Sequence, residues 1–210
     1  MKLAELTVKD FMDELASSSP APGGGSIAAL EAGYGVSLLA MVCNLTLGRK
    51  KYADYQDLAT ETEKKAQELK EGLLILVDED TEAYNTVSAA YKLPKETDEE
   101  KAFRKNRIQQ GLVDCCQPPL KVINLAVQGL SLVDETWTCL NQSCMSDLYV
   151  AVSSLKTGLN GAYANVLINL SGIEDKEYVT ETKDQLKNII EYSNNLVDRL
   201  MEQMIAKING

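Results

Sequence analysis

The sequence predicts an all-α protein, a multi-helix bundle of roughly seven to nine helices with two central helices rich in small residues. Three observations predict it. Ala, Leu, Glu, Lys and Gln dominate the composition, and these residues favour helix. Strand vocabulary is thin, with two Phe, one Trp, and Asn-Gly only at 160–161 and at the C-terminus. Apolar residues recur at helical spacing through most of the chain. At 210 residues the chain is long enough for one sizeable core, and one domain, 1–210, is expected.

Thr7 to Ser17 reads as a short amphipathic helix, with Thr7 as cap, Asp10 at the capping-box position, and Val8, Phe11, Met12 and Leu15 on one face. Pro20-Ala21-Pro22-Gly23-Gly24-Gly25-Ser26 ends it. The prolines hold the backbone extended, the glycines carry no side chains, and Ser26 can cap the next helix. That organising helix runs from Ile27 to about Leu47, crowded with Ala28, Ala29, Ala32, Gly33, Gly35, Ser37 and Ala40. Gly48 stops or bends it. A third helix is expected from Asp54 to Lys92, with a bend at Gly72, ended by Leu93-Pro94. Thr97 opens a fourth, with Glu100 three residues on, and Pro118-Pro119 is expected to stop it at Gln117. Pro119 to Asn141 then supplies one or two more apolar helices. Ser146 or Asp147 is a good N-cap for a second small-residue helix to about Leu170. On it Asp147, Ser154, Gly158, Gly161, Asn165 and Asn169 fall within about 40° of one meridian, a polar stripe that predicts a groove. Thr180 to Ile208 reads as a final amphipathic helix.

The net charge of −10 argues against nucleic acid, whose phosphates need clustered Lys and Arg. The five cysteines are odd in number and contain no CxxC, which suits a reduced, cytoplasmic setting. There is no histidine, so acid–base work falls to Asp, Glu, Lys, Tyr or Cys, and no His-containing zinc site exists. Met1 to Leu15 is charged and lacks an apolar stretch, so it does not read as a signal peptide. Ile27 to Leu47 is long enough to span a membrane, but Glu31 and Asn44 interrupt it, and we read it as a buried core helix with no membrane partner.

Several residues suit chemistry, each beside a plainer reading. The Gly23–Ser26 N–H groups could hold a carboxylate or polar heteroatom, or the run could serve close helix packing. It is not a Walker A loop, lacking GK[ST] and a preceding strand. Arg49, Lys50 and Lys51 could meet an anionic ligand, or simply suit a helix C-terminus. Among Asp78, Glu79 and Asp80, one could sit in a pocket with a raised pKa, as a general acid or base requires. Asn165 and Asn169 could bind ligand or bridge helices. Tyr52, Tyr84 and Trp137 could stack on a flat heterocycle or belong to the core.

Taken together, these residues resemble the cyclodeaminase/cyclohydrolase family of folate one-carbon enzymes over nearly the whole chain. The resemblance rests on Phe11-x-x-Glu14-Leu15-Ala16-Ser17 leading into Pro20-x-Pro22-Gly23-Gly24-Gly25-Ser26, then Met41-Val42-x-Asn44-Leu45-Thr46-x-Gly48-x-Lys50-Lys51-Tyr52. Asp80-x-x-Ala83-Tyr84, Leu93-Pro94-Lys95-x-Thr97, Pro119-Leu120, Ser146-Asp147 and Asn165-Val166-x-Ile168-Asn169-Leu170 complete it. One departure is Leu140-Asn141, where such proteins tend to have Gly-Asn. The resemblance implies an all-helical, usually homodimeric enzyme. A tetrahydrofolate derivative is the implied substrate, with no metal and no permanently bound cofactor. The first activity it implies is 5-formiminotetrahydrofolate cyclodeaminase, forming 5,10-methenyltetrahydrofolate and ammonia. The alternatives are 5,10-methenyltetrahydrofolate cyclohydrolase, forming 10-formyltetrahydrofolate, and a non-catalytic folate-binding or scaffold protein. It implies Asp147 or Asp80 as the acid–base group. Asn44, Asn165 and Asn169 would orient the pterin, Gly23 to Ser26 would line the pocket, Tyr52 would face the flat ring, and Lys50 and Lys51 would meet the glutamate tail.

Overall fold

The computed structural model describes residues 2–210, so the Met1 end of the charged N-terminal segment lies outside it. Its residues are 84% helical, with no strand among those described. Six α-helices form the fold: α1 (Val8–Leu15), α2 (Gly24–Asn44), α3 (Gln56–Tyr91), α4 (Asp98–Thr136), α5 (Met145–Leu170) and α6 (Lys176–Asn209). That is fewer than expected, because two expected helices are one.

The merger happens at Pro118-Pro119. Both prolines lie inside α4, buried, where each lacks an N–H and crowds the preceding turn. The helix nevertheless continues. The carbonyl that Pro119 leaves without a partner, that of Cys115, accepts from Asn169 Nδ2 of α5 at 2.9 Å. A tertiary contact replaces the missing helical bond, which no local rule anticipates.

The caps follow the sequence more closely. Thr7 Oγ1 accepts from the Asp10 N–H, and Thr97 with Glu100 forms a reciprocal capping box. Helix α3 passes Gly72 without interruption, since an added Cβ there would sit 3.1 Å from Leu125 of α4; this glycine serves packing. Helix α2 ends at Asn44, and the chain turns through Gly48, whose φ of 73° suits glycine. The N-cap of α5 is Cys144, which leaves Ser146 and Asp147 inside the first turn.

Helices α2 to α5 pack as antiparallel neighbours around one core. Ser26 and Gly33 of α2 meet Val77 and Leu73 of α3, while Gly35 and Gly24 meet Leu155 and Asn165 of α5. Helix α2 is therefore enclosed on several sides, and 61% of its most apolar stretch is buried. It is the one described helix long and apolar enough to cross a bilayer. Helix α6 lies outside α5, with Lys156 paired to Asp198 at 2.7 Å and Asn160 bonded to Asn194 at 3.0 Å.

The expected groove along α5 is mostly filled. A Cβ on Gly158 would lie 2.7 Å from the Ala28 carbonyl and 2.8 Å from Ala32 N, so α2 occupies the middle of that stripe. Asn165 and Asn169 at one end of the stripe, and Asp147 and Ser154 at the other, are half-buried.

Candidate active site

The site residues chosen from sequence fall at the two ends of α2. Twenty steps at 1.5 Å separate Gly24 from Asn44, about 30 Å. One end gathers Gly24, Gly25, Ser26, Asp80, Asn165 and Asn169, with Gly23 as the N-cap of α2. The other gathers Asn44, Lys50, Lys51, Tyr52 and Asp147.

At the first end, Asp80 projects from α3 onto the start of α2. Its carboxylate lies in the space a Gly25 side chain would fill: an added Cβ would overlap it. Ser26 Oγ is 3.1 Å from Asp80 Oδ2 and 3.0 Å from the Val77 carbonyl, and its single proton can be donated to either. The Thr81 hydroxyl lies 3.3 Å from the same oxygen. Burial pushes the Asp80 carboxyl above its ordinary range, while the Ser26 hydroxyl and N–H act in the opposite direction. Its neighbours in sequence have other tasks. Asp78 accepts from the Leu3 N–H at 2.6 Å, and Glu79 pairs with Lys121 at 2.8 Å. All three acids are half-buried, and Asp80 is the one set against the N-terminus of α2.

Two amides of α5 adjoin it. Asn165 Nδ2 donates to the Gly161 carbonyl at 2.8 Å, and a Cβ on Gly24 would be 3.4 Å from that nitrogen. Asn169 Nδ2 donates to Cys115. Each nitrogen gives one of its two N–H groups to a backbone carbonyl, which leaves each amide one N–H donor and its oxygen as acceptor. Cys115 lies close by: burial first, and then the Asp80 carboxylate, push its thiol up to about 11. A thiol held so high is not a nucleophile at neutral pH. This end of α2 thus brings together a protonatable carboxyl and two side-chain amides.

The second end is basic and more exposed. Arg49, Lys50 and Lys51 project from the turn after α2, and Lys51 Nζ lies 5.5 Å from the Tyr52 ring centroid. Among the described residues neither Lys50 nor Lys51 pairs with a carboxylate. Tyr52 is only 6% exposed and its hydroxyl accepts from the Gln142 N–H at 2.9 Å. Its ring packs inside the protein, with no open face for stacking. Asn44 Nδ2 is 3.5 Å from Glu63 Oε1, beside a shallow cleft with Met41, Leu45 and Lys70. Asp147 lies near Cys144, as does Arg49: the Asp147 carboxylate adds to burial in raising that thiol, and Arg49 opposes both. The departure at Leu140-Asn141 is absorbed into this end. Leu140 is fully buried, the Asn141 N–H donates to Thr46 Oγ1 at 2.9 Å, and Asn141 Nδ2 donates to the Leu45 carbonyl. Of the other two aromatics, Trp137 packs against the core and Tyr84 is partly exposed on α3. Sequence reading missed Cys115 and the inward role of Pro119, although Pro119-Leu120 was among the motifs.

A helical bundle that sets a half-buried, raised carboxyl against a glycine-lined helix start has a group able to take and return a proton without histidine. A sequence model described as Formiminotransferase-cyclodeaminase matches residues 7–188. The chain belongs to that family, and it is an enzyme of folate one-carbon metabolism. It is 36% identical over 203 residues to methenyltetrahydrofolate cyclohydrolase of Methylorubrum extorquens, covering 97% of this chain and 98% of that one. It is 35% identical over 189 residues to formimidoyltransferase-cyclodeaminase of Rattus norvegicus, covering 90% of this chain but 35% of that longer protein. The crystal structure of formiminotetrahydrofolate cyclodeaminase from Thermotoga maritima superposes with a TM-score of 0.82 at 25% identity, covering 97% of this chain and 100% of that one.

Proposed function

We propose that this protein is a 5,10-methenyltetrahydrofolate cyclohydrolase, with Asp80 as its proton carrier. The observation that carries the reaction is the end-to-end match to the Methylorubrum protein, 98% of whose length this chain covers. The cyclodeaminase activity first expected from the sequence is the second reading, supported by the Thermotoga structure, which is also covered end to end.

Both reactions pass through a tetrahedral carbon between N5 and N10. In the hydrolase, water adds to the methenyl carbon and loses one proton, which Asp80 accepts. Asp80 then returns that proton to N5 as the C–N5 bond breaks, and the remaining hydroxyl proton leaves to solvent as the carbinol becomes the formyl group on N10. In the deaminase, N10 attacks the formimino carbon and Asp80 protonates the departing ammonia. A carboxyl raised by burial suits both proton transfers better than an exposed one. Asp147, at the far end of α2, would act on a different part of the ligand.

The two ends of α2 are farther apart than a folate with one glutamate is long. A homodimer resolves this. The face of α2 exposing Tyr34, Met41 and Leu45 suits a two-fold contact. If the two α2 helices cross there antiparallel, the Lys50–Lys51 turn of one copy approaches the Asp80 end of the other, so that pterin and tail are held by different subunits.

The reaction is tested with purified protein and two substrates. The hydrolase consumes methenyltetrahydrofolate, read by loss of its near-ultraviolet band; the deaminase generates that band from formiminotetrahydrofolate. Gain without loss assigns the deaminase. Activity on neither, with tetrahydrofolate still bound, leaves a folate-binding protein. Asp80→Asn is expected to abolish either activity, and unchanged turnover would remove Asp80 from the mechanism. An equal mixture of Asp80→Asn and Lys50→Ala/Lys51→Ala chains, unfolded and refolded together, should recover about a quarter of wild-type sites, since half the dimers are mixed and each has one intact site. No recovery above the separate variants rejects the shared site.

A further inference from the structure

Pro118 and Pro119 are buried inside α4 and remove two consecutive N–H groups. In an α-helix these groups would bond the carbonyls of Asp114 and Cys115. The two orphaned carbonyls have different fates. Asp114 is exposed, so water can serve its carbonyl. Cys115 is buried, and its carbonyl accepts from Asn169 Nδ2 at 2.9 Å. A carbonyl can only accept, so the Asn169 nitrogen must face α4 and its oxygen must face away. Asn169 lies one turn beyond Asn165, whose amide stands against Gly24, and Cys115 is close enough to Asp80 to feel its charge.

We propose that Pro119 is a positioning residue: by leaving the Cys115 carbonyl unpaired within α4, it orients Asn169 so that Oδ1 is held as an acceptor for an N–H edge of the heterocycle bound beside Asp80. This rests on the reading of the Asp80 end as the folate site. An ordinary residue at 119 would supply an N–H to the Cys115 carbonyl. A carbonyl has two lone pairs, so that N–H would share the acceptor with Asn169 and weaken its bond, and the amide would be held less firmly. The acceptors set the ligand class. The Asn169 oxygen is turned away from α4 and Asp80 accepts when ionised, so this end offers acceptors to a donor-bearing ring edge, not to an anionic tail.

The two prolines supply their own control. Pro119→Ala and Pro118→Ala each remove a buried ring and restore one helical N–H, but only the first competes with Asn169. Steady-state kinetics on the folate substrate should show KM raised about tenfold or more in Pro119→Ala, the loss of one oriented hydrogen bond, with a smaller change in kcat. Pro118→Ala should match wild type. Asn169→Ala should raise KM to the same degree, and adding Pro119→Ala to it should raise KM no further. If Pro119→Ala does not fold, Pro119→Val restores the N–H while keeping more of the ring's volume. Equal kinetics in the two proline variants, or additive effects of Pro119→Ala and Asn169→Ala, would overturn the proposal. An active Asp80→Asn would instead overturn the site itself, so the two failures are told apart.

Discussion

Glycines at the start of α2 and glycines in the middle of the α2–α5 contact do opposite things with the same missing atom. Where Gly24 and Gly25 lack a Cβ, the space is held by polar side-chain ends, the Asn165 amide and the Asp80 carboxylate. Where Gly35 and Gly158 lack one, it is held by the opposing helix. The Leu155 side chain and Ala151 carbonyl face Gly35, and the Ala28 carbonyl and Ala32 nitrogen face Gly158. The first pair makes room for chemistry. The second lets two helices approach more closely than side chains allow. A run of small residues in a helix is therefore ambiguous until the neighbour filling each gap is known.

The sharpest way to break this comparison is Gly25→Ala. The new methyl would displace Asp80 while the helix itself favours alanine, so the chain should fold with wild-type circular dichroism. Turnover should fall about a hundredfold, the scale expected when a reacting group moves by about an ångström. Wild-type turnover would show that the Asp80 end is architecture.

Gly158→Ala should behave in the reverse manner. The opposing atoms are α2 backbone, which cannot swing aside, so the helices must separate. Overpacking of this kind costs typically about 1–3 kcal/mol, read as a lower urea midpoint at unchanged m. The kcat of the folded fraction should stay within about twofold of wild type, because stability rather than a reacting group has been altered.

The sequence disclosed these two uses unevenly, for physical reasons. Caps are local, so Thr7 and the Thr97–Glu100 box were legible from spacing alone. Periodicity also showed that α2 and α5 are smooth helices. What it could not show is how far along each helix a partner stands. The polar stripe of α5 looked like one groove, yet Gly158 is sealed against Ala28 and Ala32, which parts Asn165 and Asn169 from Asp147 at the other end. Pro118-Pro119 looked like a stop because the helical bond lost there is a local quantity, whereas its replacement comes from Asn169, far away in sequence. The site suffered similarly. Its residue types were well chosen, but Asp80 and Asp147 were offered as alternatives for one role although they stand at opposite ends of α2.

A smaller effect separates the two ends by their dependence on pH. Asp80 is raised above its ordinary pKa by burial, so the folded state holds its proton more tightly than the unfolded chain does. Its contribution to stability is present below the unfolded pKa and is lost as pH rises through the folded value. Asp80→Asn removes that loss. The variant should therefore melt above wild type at pH 8 and show little advantage at pH 4. A gap that is constant with pH would mean that Asp80 titrates like an exposed carboxyl.

The smallest effect belongs to Gly23, which fits neither use. Its φ of −139° and ψ of −154° are extended values open to any residue, and an added Cβ would meet only the Pro20 carbonyl at 3.6 Å, an ordinary contact. Alanine is a poorer N-cap than glycine, which lowers stability by some tenths of a kcal/mol. Alanine also restricts the unfolded chain, which raises stability by about 0.4–1 kcal/mol where the native backbone accepts it. These terms oppose each other, so Gly23→Ala should move the urea midpoint by no more than about 0.5 kcal/mol allows. A larger loss of stability would mean that Gly23 packs like Gly158. A rise in KM at unchanged stability would instead join it to Gly24 and Gly25 as part of the ligand wall that the family resemblance implies, because a methyl group facing open space can obstruct only what enters from outside.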